Sequence, residues 1–422
     1  MPEGEPASDE PSPPARVDAW AAMRNANYRL FASGFLSSGI GLQVLSTVIG
    51  WELYERTGNV MAIGYAGFFR AAPVVLLTLV SGQVADTFNR RNILVYSQIG
   101  FALAAFGLAA SAYFAAPIWV TYALLVMTGL SRAFNGSARN ALLPQIVPAD
   151  VFQNAVTWNS GLFQTAAIAG PVLGGTLIAI SGGAWLAYLV TAAGCGMCAA
   201  LGAGIEVNAP TPSGNAKKLT VSGMFDGATH VWREKTVLGA LTLDLMAVLV
   251  GGVTGLLPVY AKDILHVGPT GLGVLRASTY VGALLMAVWL AHRPPFTRAG
   301  AALLWSVAAF GVATVAFGLS ENFFLSVACL SIAGAVDNIS VVIRHVLVQV
   351  RTPEGLRGRV SAVNSVFIEC SNEIGAYESA LVANWFGPVA SAVSGGVGTI
   401  AVVGFISLVF PALRRLRKLD EK

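Results

Sequence analysis

Twelve runs of mostly apolar residues, each near the length that crosses a bilayer, constrain this chain more than any other feature. A spanning helix needs about 20 residues at 1.5 Å rise. The runs fall at 28–54, 60–84, 93–115, 117–138, 152–181, 184–204, 237–260, 270–291, 299–318, 323–348, 360–385 and 387–412. Of the 422 residues 55% are hydrophobic and 11% are charged, against roughly 25% charged in a soluble domain. So few charges cannot cover a water-facing surface of this size. That argues against a soluble enzyme, a disordered chain and a nucleic-acid partner. The 46 glycines suit helices that approach closely in lipid.

Residues 1–27 are rich in Pro and acidic groups, and read as a flexible cytoplasmic tail rather than a signal peptide. Basic residues set the expected orientation. With the N-terminus inside, the inner loops hold Arg90 and Arg91; Lys217, Lys218, Arg233 and Lys235; Arg293 and Arg298; and Arg351, Arg357 and Arg359. The basic tail 413–422 adds Arg414, Arg415, Arg417, Lys418 and Lys422, while the outer loops hold only Arg56 and Lys262. Both termini are therefore expected in the cytoplasm. The segment 205–236 separates six spans (28–204) from six (237–412). Val221, Met224, Phe225, Ala228, Val231 and Trp232 recur there at helical spacing, so a short helix on the inner membrane face is expected.

The halves match at an offset of 205 or 206. Phe69-Arg70-Ala71 in span two matches Leu275-Arg276-Ala277 in span eight. Adding 205 takes Arg139 to Arg344, Pro148 to Pro353, Asn159 to Asn364 and Gly170 to Gly375. Six spans per half put both copies the same way up, related by an axis along the membrane normal. That arrangement builds a mid-depth site reached alternately from each side.

The stretch Gly82-Gln83-Val84-Ala85-Asp86-Thr87-Phe88-Asn89-Arg90-Arg91 resembles the signature loop of the major facilitator superfamily. Thr87 and Asn89 depart from the usual basic residue and Gly. Gly170-Pro171-Val172-Leu173-Gly174-Gly175 in span five is similar to the motif of the superfamily's antiporters, and Arg351–Ala362 resembles the branch that contains the enterobactin exporter. The resemblance implies an all-helical fold of two pseudo-symmetric six-helix bundles. It implies a monomeric secondary transporter in the plasma membrane of a prokaryote. Alternating access would drive proton-coupled export of a small amphipathic molecule, siderophore-like or drug-like. An uptake permease or uniporter of the same fold, and a receptor that has lost transport, are the alternatives.

Charges inside a bilayer are expensive and usually face the bundle interior. Glu369 and Glu373, four residues apart, share one helical face. In a partly dry cavity they repel, and a proton on one of them relieves the repulsion. They are candidates for proton coupling, with Asp337 and Arg132 at equivalent repeat positions. A permanent lock by Arg132, Arg344 or another cation is the opposing reading. Arg70 and Arg276, with Asn159, Asn364 and Gln164, are candidate substrate-cavity residues. Asp244 is expected to pair with a base as a scaffold. If the superfamily fold holds, Asp86 faces the N-terminus of span eleven or Arg357 and Arg359, and with Arg90 and Arg91 closes a cytoplasmic gate. Gly170, Gly174 and Gly175 let span five approach a neighbour, and Pro171 bends it. Trp51, Trp119, Trp185 and Trp385 are expected in an interfacial belt. The chain has no G-x-x-x-x-G-K-[ST] loop, and its four histidines are dispersed. No cofactor, metal or enzymatic reaction is expected.

Overall fold

The structure is a computed structural model that describes residues 18–207, 229–294, 296–353 and 356–417. Some side chains within its helices, among them Asp86, Arg357, Arg359 and Glu369, lie outside that description. The described residues form twelve long helical segments: α1 Ala26–Thr57, α2 Met61–Thr87, α3 Arg90–Tyr113, α4 Ile118–Ile146, α5 Phe152–Ser181, α6 Trp185–Ala203, α7 Lys235–Gly251, α8 Gly268–Ala291, α9 Ala299–Gly318, α10 Phe323–Arg351, α11 Arg357–Phe386 and α12 Pro388–Val409. Each of the twelve expected spans is helical, and the seventh, 237–260, is interrupted at Gly252. The greater part of the expected interfacial helix lies outside the described residues.

Local chemistry sets the helix ends. Asn25, Asn89 and Asn322 each accept a backbone N–H and so cap α1, α3 and α10. The Asn89 that departs from the family's Gly thus starts a helix. Gly58 and Gly182, at φ 62° and 67°, end α1 and α5 in the left-handed region. Helix α7 breaks at Gly252 and continues through a 3₁₀ turn and a π-turn to Ile264. The break frees the Gly252 carbonyl, and the Ser379 hydroxyl of α11 donates to it at 2.9 Å.

Nine of the helical segments, with α7 counted through Ile264, are long and apolar enough to cross a membrane, among the described residues. Helices α2, α4 and α11 carry Arg70, Arg132, Arg139, Glu373 and Glu378. Leu76, Trp305, Phe324 and Leu408 are more than three-quarters exposed, as side chains facing lipid tails should be.

The main packing pairs of one half have twins in the other. Helix α1 packs on α5 and α6 as α7 packs on α11 and α12. The pairs α2–α4, α3–α4 and α3–α6 match α8–α10, α9–α10 and α9–α12. Two further pairs, α2–α11 and α5–α8, join the halves and are themselves twins. The cores divide differently along the axis. At the end remote from the termini, one continuous core takes residues from both halves. Val44, Leu45, Ile49, Trp51 and Ile63 pack there with Leu256, Val259, Tyr260, Leu275 and Ala380. At the end that bears the termini, the described residues of each half form a core of their own. One holds Phe31, Ile93, Leu142 and Ala155; the other holds Leu241, Leu303, Ile343 and Leu413. Trp51 is a correction to the expected aromatic belt. It is 8% exposed and belongs to the shared core, whereas Trp119 and Trp385 are 70% and 66% exposed.

Candidate functional site

The α2–α11 seam is built from residues with little side chain next to residues with charge. Gly64, Gly67 and Arg70 recur every three residues and so share one face of α2. They meet Ala380, Tyr377 and Glu373, which descend α11. Gly67 lies against the acid itself: a Cβ there would stand 2.9 Å from Glu373 Oε2, so the carboxylate would have to shift. The Arg70 guanidinium donates to Glu373 Oε1 from Nε at 3.2 Å and from Nη2 at 2.7 Å. Arg132 of α4 approaches the same oxygen at 3.8 Å. Glu373 is 8% exposed. A charge-assisted pair this short in a nearly dry site is strong, but its carboxylate has lost its water and depends on its cations.

Aromatic rings close the seam above the pair. Tyr65 and Tyr377 lie 6.1 Å apart across it, and Tyr122 stands 6.4 Å from Tyr65 and 5.1 Å from Phe69. The twin seam, α5–α8, is backbone against backbone. Gly175 packs on the Pro269 carbonyl and on Gly273, and Gly273 packs on the Pro171 carbonyl. Gly170 and Gly174 face the other way, onto α1 at Gln43 and Val44. Span five therefore has two close neighbours, one in each half.

Side chains at the ends of α1 and α7 complete the closure. Arg276 donates to the Ser46 carbonyl at 2.9 Å and to its Oγ at 2.7 Å. Tyr54 donates to the Asp263 carboxylate, and Lys262 lies 3.5 Å from Glu55. Sequence reasoning missed Ser46, Tyr54, Glu55 and Asp263. The acids sit at span ends and look like ordinary loop charges there.

Towards the termini the α5 face that carries Pro171 and Gly175 continues into Gln164, Ser160 and Thr157. Ser160 and Thr157 are exposed, and Gln164 is partly so. The same stripe is thus sealed at one end and open and polar at the other.

The expected site residues separate into groups. Arg70, Arg132 and Glu373 come together, and Arg70 bonds a carboxylate of the opposite half. Arg276 belongs to the closure between the halves. Asn159 accepts from the Tyr28 hydroxyl at 3.2 Å and is tied to α1. Asn364 is buried, with no partner for its Oδ1 among the described residues. Asp337 lines a small cavity with Asp244, Val307, Phe310 and Ser340. Asp244 pairs with Arg344, and this removes Arg344 from the expected lock on Glu373. Arg90 donates to the Ala141 carbonyl at 3.2 Å and Arg91 to the Ile205 carbonyl at 3.3 Å, both within their own half. The side chains of Asp86, Arg357, Arg359 and Glu369 lie outside the described residues. No cluster of three or more His, Cys, Asp or Glu could hold a metal ion among the described residues.

Residues 31–376 match the family model of the Major Facilitator Superfamily. The chain is 23% identical over 390 residues to the enterobactin exporter EntS of Escherichia coli O1:K1, covering 92% of each protein. It is 24% identical over the same length to EntS of Citrobacter koseri. Its fold is similar to the nucleoside transporter NupG, with a TM-score of 0.66 at 13% identity over 93% of this chain and 100% of that one. It is also similar to a bacterial homologue of the iron transporter ferroportin in an inward-facing state, with a TM-score of 0.67 at 18% identity over 93% and 99% of the two chains. With twelve paired helices, twin seams and a model match over most of its length, this multi-pass membrane protein belongs to the major facilitator superfamily of transporters.

Proposed function

We propose that this transporter exports a small amphipathic molecule across the plasma membrane of a prokaryote, as a monomer, against an inward flow of protons. The observation that carries the reading is the division of the cores among the described residues: one shared between the halves at one end, two separate ones at the other. With both termini in the cytoplasm, as the basic loops imply, the described conformation is closed outside and open inside. Export requires the outer seams to part. Parting α2 from α11 takes Arg70 away from Glu373 and opens its carboxylate to the outer side, where a proton can take the place of the cation. When the seam closes again, Arg70 returns and the proton leaves on the cytoplasmic side. Arg70 and the proton thus compete for one carboxylate, and each cycle carries a proton inward as substrate moves out. Asp86, with Arg357 and Arg359, is proposed to close the inner end in the opposite state, and the boundary between the rocking bodies is proposed at 205–236.

The resemblance to enterobactin exporters supplies the first substrate to try. In everted vesicles with an acidified lumen, enterobactin should accumulate inside, and a protonophore should abolish the accumulation. In the Glu373→Gln variant any residual transport should be indifferent to the proton gradient. Accumulation that ignores the gradient in the parent protein, or unchanged gradient dependence in Glu373→Gln, would contradict the coupling.

A further inference from the structure

The repeat pairs an arginine of each half with its twin, Arg344 buried and Arg139 partly exposed, and the two are not treated alike. Arg344 of α10 is neutralised inside its own bundle by Asp244 of α7. Its repeat equivalent, Arg139 of α4, has no carboxylate partner among the described residues; it lies over the ring of Phe35, 4.7 Å from the centroid. The residue that should stand where Asp244 stands can be identified. The Thr191 hydroxyl donates to the Gly41 carbonyl as that of Thr399 donates to the Ala247 carbonyl. Helices α1 and α7 are therefore related by 206 residues, and Asp244 corresponds to Ser38.

The missing carboxylate leaves a hole. A cavity lined by Phe35, Ser38, Gln98, Asn135, Arg139 and Cys198 lies among α1, α3, α4 and α6 and has about 40 Å³ of room for water-sized molecules. Among its polar groups Gln98 Oε1 is a buried acceptor with no partner among the described residues, while the others can donate. Asn135 spends its Oδ1 on Gln98 Nε2 at 3.1 Å, which leaves the Asn135 amide hydrogens to donate. The Ser38 hydroxyl makes a long 3.4 Å bond to the Phe35 carbonyl and also reaches the Cys198 thiol, and the Arg139 guanidinium adds its own donors. A cation removed from water without an anion is costly, and the twin half shows how the same position is neutralised when the chain supplies the charge.

We propose that this cavity is a binding site for one small inorganic anion of halide size, held by Arg139 with Asn135 and Ser38 in the place that the Asp244 carboxylate takes beside Arg344. The anion completes the packing of the N-terminal bundle, lies off the seams between the halves, and does not depend on what the protein transports. The room available suits a single ion.

The test uses the full chain purified in detergent, with bromide exchanged for gluconate at constant ionic strength. At about ten times the dissociation constant, bromide should raise the thermal unfolding midpoint by about 2 °C. Arg139→Gln should abolish the rise. Ser38→Asp, which gives the N-terminal half the internal carboxylate of its twin, should be stabilised in gluconate and indifferent to bromide. Equal midpoints in the two salts for the parent protein would overturn the proposal, as would a bromide effect that survives Arg139→Gln. Stabilisation by added phosphatidylglycerol without any by bromide would also overturn it, by assigning the cavity to a lipid headgroup.

Discussion

Arg70→Ala should unfold more easily than the parent protein by about 3 kcal/mol near neutral pH, because removing one partner leaves the buried charge of the other uncompensated. Glu373 is 8% exposed, and its oxygen at 2.7 Å from Arg70 has only Arg132, at 3.8 Å, as a second cation among the described contacts. Adding Glu373→Gln to Arg70→Ala should recover most of the stability, because a neutral amide needs no counter-charge. Thermal unfolding of the four proteins of this cycle measures the coupling directly. No recovery in the double variant would show that Glu373 does not depend on Arg70. Transport should stop in Arg70→Ala, as nothing then returns to displace the proton.

Gly175→Leu should have the second large effect, through shape alone. Gly175 packs on the Pro269 carbonyl and Gly273, and neither is a flexible side chain that can move aside. A leucine there wedges α5 from α8 at the sealed end. The packing within each half is left intact, so the protein should insert and fold with its seams apart. Overpacking costs about 1–3 kcal/mol, enough to shift a two-state equilibrium roughly tenfold to a hundredfold towards the open form. Transport should fall by more than about tenfold. Ser46 is sheltered by Arg276 in the closed form. In a Ser46→Cys background the thiol at this position should become accessible to a membrane-impermeant maleimide once the wedge is added. Unchanged labelling at position 46 would mean the seam is not a moving part.

The helices were legible because length and apolarity are local properties. The expected spans at 152–181 and 299–318 coincide with Phe152–Ser181 and Ala299–Gly318, and the twin packing follows from the repeat. The break in α7 was not anticipated, although Gly251-Gly252 and Pro258 lie at it, since two glycines in an apolar run also read as close packing. The site was half legible. Sequence singled out Arg70, Arg132 and Glu373 as charges that a membrane interior would not tolerate without a purpose. It could not join Arg70 to Glu373, which are 303 residues apart and meet only when the halves close. It grouped Asp337 with them because depth along a helix is countable, whereas the direction a side chain faces depends on neighbours from other spans. Trp51 was misplaced for a related reason: its position near a span end suggested the interface, but the shared core extends to that end.

The account rests on the two halves rocking so that one end closes as the other opens. Spin labels can be placed on exposed sites in opposite halves, at Phe114 and Glu321 for the end now sealed and at Asp150 and His292 for the end that bears the termini. In a background without the four native cysteines, pulsed distance measurements in lipid should show opposite changes when enterobactin and acid pH are applied. The 114–321 distance should lengthen while the 150–292 distance shortens. Two distances that stay fixed under every condition, or that lengthen together, would contradict it.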